Sequence, residues 1–284
     1  MPLPALVLVL VAGLVHASWN LLAKRASAGA DFVVLYCGLS CVLFAPLAFL
    51  QWQSLPASIT GAGWLLVAAS GLLHFLYALI LQRGYQVADL GVVYPVARGV
   101  GPLLSFLGAI ALLGEPLSAT AALGLAAVTG GIVMLSKSQH ASVSWAGIGY
   151  GVATGSCIAL YTLVDARSVR TIGLPPLLLD YLSNLVRTIL LLPVMLTRQR
   201  QLRQAARQHG KAALGVAVLS PLAYILVLYA MRMAPVSHIA PAREVSMLFA
   251  VGLGATLLGE RQGARRLGGA ALIAIGVALL SSAR

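Results

Sequence analysis

The chain is a succession of long apolar stretches with little between them, and that succession constrains its fold more than any other feature. The first five run over Leu3–Leu22, Phe32–Leu50, Trp64–Leu81, Gly91–Leu113 and Leu117–Leu135. The second five run over Trp145–Val164, Leu177–Leu196, Ala212–Ala230, Val236–Leu258 and Leu267–Leu280. About 20 apolar residues cross a hydrocarbon core of ~30 Å. Lipid offers the backbone no partners, so each crossing must satisfy its own amides as an α-helix. With 60% hydrophobic and 9% charged residues among 284, the chain lacks the polar surface a soluble domain needs. The expected fold is an all-α integral membrane protein of ten transmembrane helices, with no room for an extramembrane domain. The first stretch has no basic leading segment and is long enough to span, so it reads as a helix rather than a signal peptide.

The two sets of five are related. GEPLSATAALGLAAVTGGIVMLS, from Gly114, aligns without a gap on GERQGARRLGGAALIAIGVALLS, from Gly259. Glu115 and Glu260 lie 145 positions apart, as do Arg98 and Arg243. The chain therefore divides into repeats at residues 1–140 and 141–284. An odd number of crossings makes the second copy enter the membrane from the opposite side. Such inverted repeats place their site near the midplane, where the copies meet. Arg98 falls about seven residues into its stretch, roughly 10 Å deep at 1.5 Å per residue. Arg243 falls equally deep from the other face.

The net charge of +12 does not indicate nucleic acid, because the basic residues form no continuous face with aromatic stacking partners. They are topology signals instead. Of the 19 Lys and Arg, 12 occupy the odd-numbered links: Lys24, Arg25, Arg83, Lys137, Arg198, Arg200, Arg203, Arg207, Lys211, Arg261, Arg265 and Arg266. Only Arg167, Arg170, Arg232 and Arg284 occupy the other side. The charge count thus places the odd links in the cytoplasm and both termini outside. Cys37, Cys41 and Cys157 lie within apolar stretches and read as buried small hydrophobes without a disulfide.

The duplicated five-helix plan, Trp19 and Asn20 followed by Lys24, and the paired Gly114/Glu115 and Gly259/Glu260 carry a resemblance over essentially the whole chain. The sequence resembles a ten-helix, EamA-type member of the drug/metabolite transporter superfamily. That resemblance implies a multi-pass protein of a bacterial inner membrane. It implies a secondary carrier that moves small metabolites by alternating access, in many members exporting amino acids or toxic compounds. It also implies both termini inside, opposite to the charge count, so the orientation stays open. Small four-helix relatives carry a coupling glutamate in their first helix; here that helix offers His16, Ser18 and Asn20.

A charge at mid-membrane depth is costly, about 2.5 to 3.5 kcal/mol on insertion scales, and marks a functional position by default. Tyr94, Arg98, Gly101 and Ser105 form one helical stripe, bracketed by Pro95 and Pro102, which favour kinks. Arg98 is either a substrate or coupling group, or a snorkelling or helix-locking one. Arg243 shares a face with Ser246, while Glu244 points about 100° away. Glu244 is either a proton acceptor or the partner of an arginine on another helix. His16, Trp19 and Asn20 cluster on one face, with a repeat counterpart near Tyr161 and Thr162, and suit a cavity wall or interhelical packing. His74 shares a face with Tyr77, and His238 opens the ninth stretch; both histidines are candidate proton relays.

Asp180, Asn184 and Arg187 read first as a structural charge pair along one helix. The two Gly-Glu pairs read as helix ends. Small residues along the fifth and tenth stretches suit either a homodimer or packing of the two halves. Arg198–Lys211 reads as a solvated loop touching anionic headgroups.

The seven acids are scattered, with no clustered nucleophile, metal triad or cofactor motif, so an enzyme is not expected, nor a metal or cofactor. The leading expectation is a secondary transporter of a small polar metabolite, amino acid or organic anion. Its arginines would hold a carboxylate or phosphate-like group. The alternatives are broad efflux of amphipathic drugs, or a flippase for lipid-linked substrates.

Overall fold

The computed structural model describes residues 1–25, 30–53, 55, 59, 61–136, 144–258 and 264–283. Gly259, Glu260, Lys137, Arg261 and Arg284 lie outside them. In chain order the helices are α1 (Leu3–Arg25), α2 (Ala30–Trp52), α3 (Gly61–Val87), α4 (Leu90–Leu113), α5 (Ala119–Ser136) and α6 (Trp145–Arg170). There follow α7 (Pro176–Thr197), α8 (Gln199–Met233), α9 (Val236–Ala242), a 3-10 turn (Arg243–Val245), α10 (Ser246–Leu258) and α11 (Ala264–Ser282). No strand occurs among the described residues. Eight helices, α1–α4, α6–α8 and α11, are long and apolar enough to cross a membrane. The shorter apolar α5 and the interrupted α9–α10 stand where the remaining two of the ten expected crossings fall.

Three expectations are corrected. The break anticipated around Arg98 falls at its counterpart instead: α4 is continuous through Pro95 and Pro102, whereas the ninth stretch is interrupted at Arg243–Val245. Pro241 has already removed one backbone donor there, and the 3-10 turn rotates Arg243 and Glu244 onto separate partners. Second, the basic run is no loop. Arg200, Arg203, Arg207 and Lys211 are exposed along the first turns of the 35-residue α8, in a segment rich in Arg, Gln, Leu and Ala, which favour helix. Third, α6 continues past Val164 to Arg170, which brings Asp165 inside the helix.

The packing respects the repeat. As α6 lies on α3 and α4, so α1 lies on α8 and on the 3-10 turn and α10; as α7 lies on α3, so α2 lies on α8. The α5 and α11 faces pack on each other within the chain. A Cβ on Gly131 would meet the Gly269 carbonyl at 2.6 Å, and one on Gly276 the Gly124 carbonyl at 2.7 Å. Only glycine permits that approach, and a dimer through these helices would have to use their outer faces. Along α6, Gly147, Gly151 and Gly155 recur every fourth residue. A Cβ on the latter two would fall 2.6 and 2.8 Å from Val96 and Val100 of α4.

Gly114 ends α4 in the left-handed conformation, φ 69°, as a helix-terminating glycine should. Glu115 does more than begin the next segment. It is buried, and its Oε1 accepts from the Val236 amide at 2.7 Å. Its Oε2 accepts from the Ser237 amide at 2.9 Å and the Ser237 hydroxyl at 2.7 Å, while Arg170 donates from the end of α6. The free amides at the start of α9 are thus capped by a residue from another part of the chain. Burial alone would raise the Glu115 pKa, but the Ser237 amide and hydroxyl, the Val236 amide and Arg170 outweigh it and hold the carboxyl below its ordinary value.

Candidate transport site

Between the two halves lies a cavity of about 180 Å³, walled by α1, α2, α3, α4, α6, α7, α8, the start of the 3-10 turn and Ser246 of α10. Arg98 reaches it from α4 and Arg243 from the turn, so the two repeat-related arginines open on one space. Their partners differ. Arg98 Nη2 donates to Ser246 Oγ at 3.0 Å. Its Nε lies 2.9 Å from Glu244 Oε2, an ion contact without hydrogen-bond alignment. The guanidinium also stands 5.7 Å from the centre of the Tyr94 ring. Arg243 has no carboxylate in contact; its guanidinium lies 5.3 Å over the Tyr224 ring and is in hydrogen-bonding reach of Tyr161.

An aromatic cluster forms one wall. His74 stacks on Tyr161 with centroids 4.1 Å apart and planes 22° from parallel, and Tyr77 and Tyr224 meet the Tyr161 ring edge-on. His74 Nδ1 lies 2.9 Å from the Ser70 carbonyl. A carbonyl only accepts, so Nδ1 carries the hydrogen and the other ring nitrogen is left to accept when the ring is neutral. On α1, His16 and Trp19 meet edge to face at 4.9 Å, and Asn20 Nδ2 donates to the His16 carbonyl at 2.8 Å. Asn20 therefore bonds along its own helix rather than across to another.

On α7, Arg187 donates to Asn184 Oδ1 rather than to Asp180, and Asn184 Nδ2 bonds Cys41 Sγ at 3.1 Å. The expected Asp180–Arg187 pair is not formed, because Asn184 lies between them and takes the arginine. All three line the cavity, so they belong to its wall and not to a sealed structural pair. Trp19 Nε1, Arg187 Nε and Asp165 Oδ1 are buried polar atoms of lining residues without a hydrogen-bond partner. Unpaired buried polar groups cost free energy, and a polar occupant of the cavity would supply the missing partners.

Residues 145–282 match the EamA-like transporter family. The second half of the chain is similar to an EamA-like transporter domain. A crystal structure of a protein 14% identical is similar over 98% of this chain and 98% of its own, with a TM-score of 0.74, which shows the fold. No curated protein sequence matches the chain. The match covers the second half of the chain and is consistent with the drug/metabolite transporter superfamily, as the apolar helices are with a multi-pass membrane protein.

Of the sequence-predicted residues in this EamA-like chain, Arg98, Arg243, Tyr94, Trp19, Asn20, His16, Tyr77, Tyr161, Ser246 and His74 line the cavity. Ser105, Thr162 and Glu244 stand around a small adjoining space beyond Arg98. Ser105 donates back to the Gly101 carbonyl at 2.8 Å. His238 borders neither space; it is buried at the start of α9, in the electrostatic neighbourhood of Glu115 and the chain's N-terminal amine. Missed by sequence reasoning were Tyr36, Asp165, Ser183 and Tyr224. Asp165 had a signal, since it lies 145 positions after Asn20.

Proposed function

We propose that this protein is a secondary transporter of a small polar metabolite bearing an anionic group, an amino acid or organic anion, working by alternating access in the inner membrane of a bacterium. The observation that carries the reading is Arg243: a guanidinium exposed to the cavity, with aromatic support and no carboxylate against it. Its fork of donors suits a carboxylate or phosphate-like group. Trp19, Tyr77, Tyr94 and Tyr161 offer apolar and aromatic wall to the remainder of a small molecule. Export is the direction the resemblance favours. Broad efflux of cationic amphipaths is the weaker reading, since Glu244 is already engaged by Arg98.

The purified protein in liposomes, offered labelled anionic, zwitterionic and cationic metabolites with and without a pH gradient, tests the assignment. Anionic or zwitterionic compounds should cross. Arg243→Ala should abolish their movement while the protein stays folded. Normal transport by that variant, or transport of cations alone, would sink the reading.

A further inference from the structure

The transport reading leaves one buried charge of the cavity without a role. Asp165 on α6 is fully buried, yet it borders the cavity. Tyr224 of α8 donates its hydroxyl to Oδ2 at 2.5 Å, and Oδ1 has no hydrogen-bond partner. The contrast with Glu244 is instructive. That carboxylate has Arg98 at 2.9 Å, so protonating it would strand a buried guanidinium. Asp165 has no cation in contact, so its ionised form bears the full cost of burial and leaves an oxygen unsatisfied.

The groups facing Asp165 from each packed element are few. From α3 come Ser70, whose hydroxyl stands near the carboxyl without bonding Oδ1, and His74 beyond it. Ser70 Oγ receives the Ser183 hydroxyl of α7 at 3.0 Å. From α7 comes Asp180, a like charge on the same cavity wall. From the 3-10 turn comes Arg243, which acts through space rather than by contact. Arg98, the charge of α4, is paired with Glu244. Tyr161 shares α6 and carries no charge of its own.

Tyr224 joins the two functional charges: its hydroxyl serves Asp165 and its ring carries Arg243. We infer that Asp165 is a proton-binding site of the transport cavity, coupled through Tyr224 to an anion held by Arg243. The inference rests on the transport reading for its purpose, but not for its detection. The proton enters from the cavity onto the unpartnered Oδ1, while Tyr224 continues to donate to Oδ2. Loss of the negative charge frees Arg243 from its opposing field, so the cavity holds an anion more tightly. By reciprocity the anion raises proton occupancy by the same factor, on the order of 5- to 150-fold for typical coupled sites. Proton and anion then cross together, in whichever direction their combined gradients drive them.

Infrared difference spectroscopy of the full chain in detergent, titrated from acid to alkaline pH, tests the proton site without any substrate. The expected result is the carbonyl stretch of a protonated carboxylic acid that disappears in Asp165→Asn, is displaced in Tyr224→Phe, and persists in Asp180→Asn and Glu244→Gln. Absence of such a band, or a band that Asp165→Asn leaves intact, overturns the inference. Should Asp165→Asn fail to fold, Tyr224→Phe decides: a displaced band supports the assignment and an undisplaced one refutes it. Because no transport is measured, a failure here leaves the transport reading standing, and failure of the liposome assay leaves the proton site standing.

Discussion

Arg98 and Glu244 are held between α4 and the 3-10 turn, with side chains 15% and 5% exposed. Removing one member of such a pair leaves the other charge buried and unpaired, which costs about 3 to 5 kcal/mol. Arg98→Met and Glu244→Met should therefore each lower the melting temperature of the detergent-purified protein strongly. The double variant should recover much of the loss, because two apolar side chains of similar bulk replace the pair. Equal or additive losses in the double variant would show that the pair contributes nothing as a pair. The sequence marked both residues as costly, and their depth followed from the repeat. Their partnership did not, because whether Glu244 faces Arg98 depends on the local 3-10 twist, which no periodicity announces.

At the scale of elements, α9 is seven residues long, too short to be stable by itself. What anchors its start is Glu115, from the link between α4 and α5. Glu115→Ala should raise hydrogen exchange at the Val236 and Ser237 amides and lower stability by roughly 1 to 3 kcal/mol, the cost of stranding their donors. The pH dependence follows from the same bonds. The folded carboxyl titrates below its unfolded value, so its contribution is complete above the unfolded pKa and fades as pH falls through the folded one. Acid unfolding of the wild type should show this loss and Glu115→Gln should not; identical acid limbs would refute it. Gly114 as a helix end was legible from its type, but Glu115 as a cap for a distant helix was not, since the pairing spans 121 residues. The same element scale hid Asp165, because the apolar stretch closes at Val164 while the helix itself runs on to Arg170. Hydropathy reports where apolar character stops, whereas a helix continues until its hydrogen bonds are capped.

In the whole molecule, two of the seams between the halves, α4 with α6 and α1 with the 3-10 turn and α10, occupy corresponding places but are not built alike. Between α4 and α6, a Cβ added at Gly101, Gly108, Gly151 or Gly155 would lie 2.4 to 2.9 Å from a side chain of the facing helix. Between α1 and the 3-10 turn and α10, Gly13 plays that part among the described residues, against Val245. The counterparts 145 positions from Gly151 and Gly155 are Leu6 and Leu10, and that of Gly108 is Leu253. Interlocked glycine faces slide poorly, since any shift drives side chains into backbone, while larger and more mobile side chains can repack. The interrupted helix also lies in the second seam, where a broken ladder can absorb a change of direction. Alternating access should therefore open the α1–α10 seam and leave α4–α6 as the fixed one. Spin labels at Leu14 and Thr256 on the first pair, and at Leu112 and Leu160 on the second, all at exposed positions, can measure both. A transported substrate should shift or broaden the distance distribution across α1 and α10 and leave that across α4 and α6 unchanged. Movement confined to α4 and α6 would reverse the assignment and make the glycine seam the hinge.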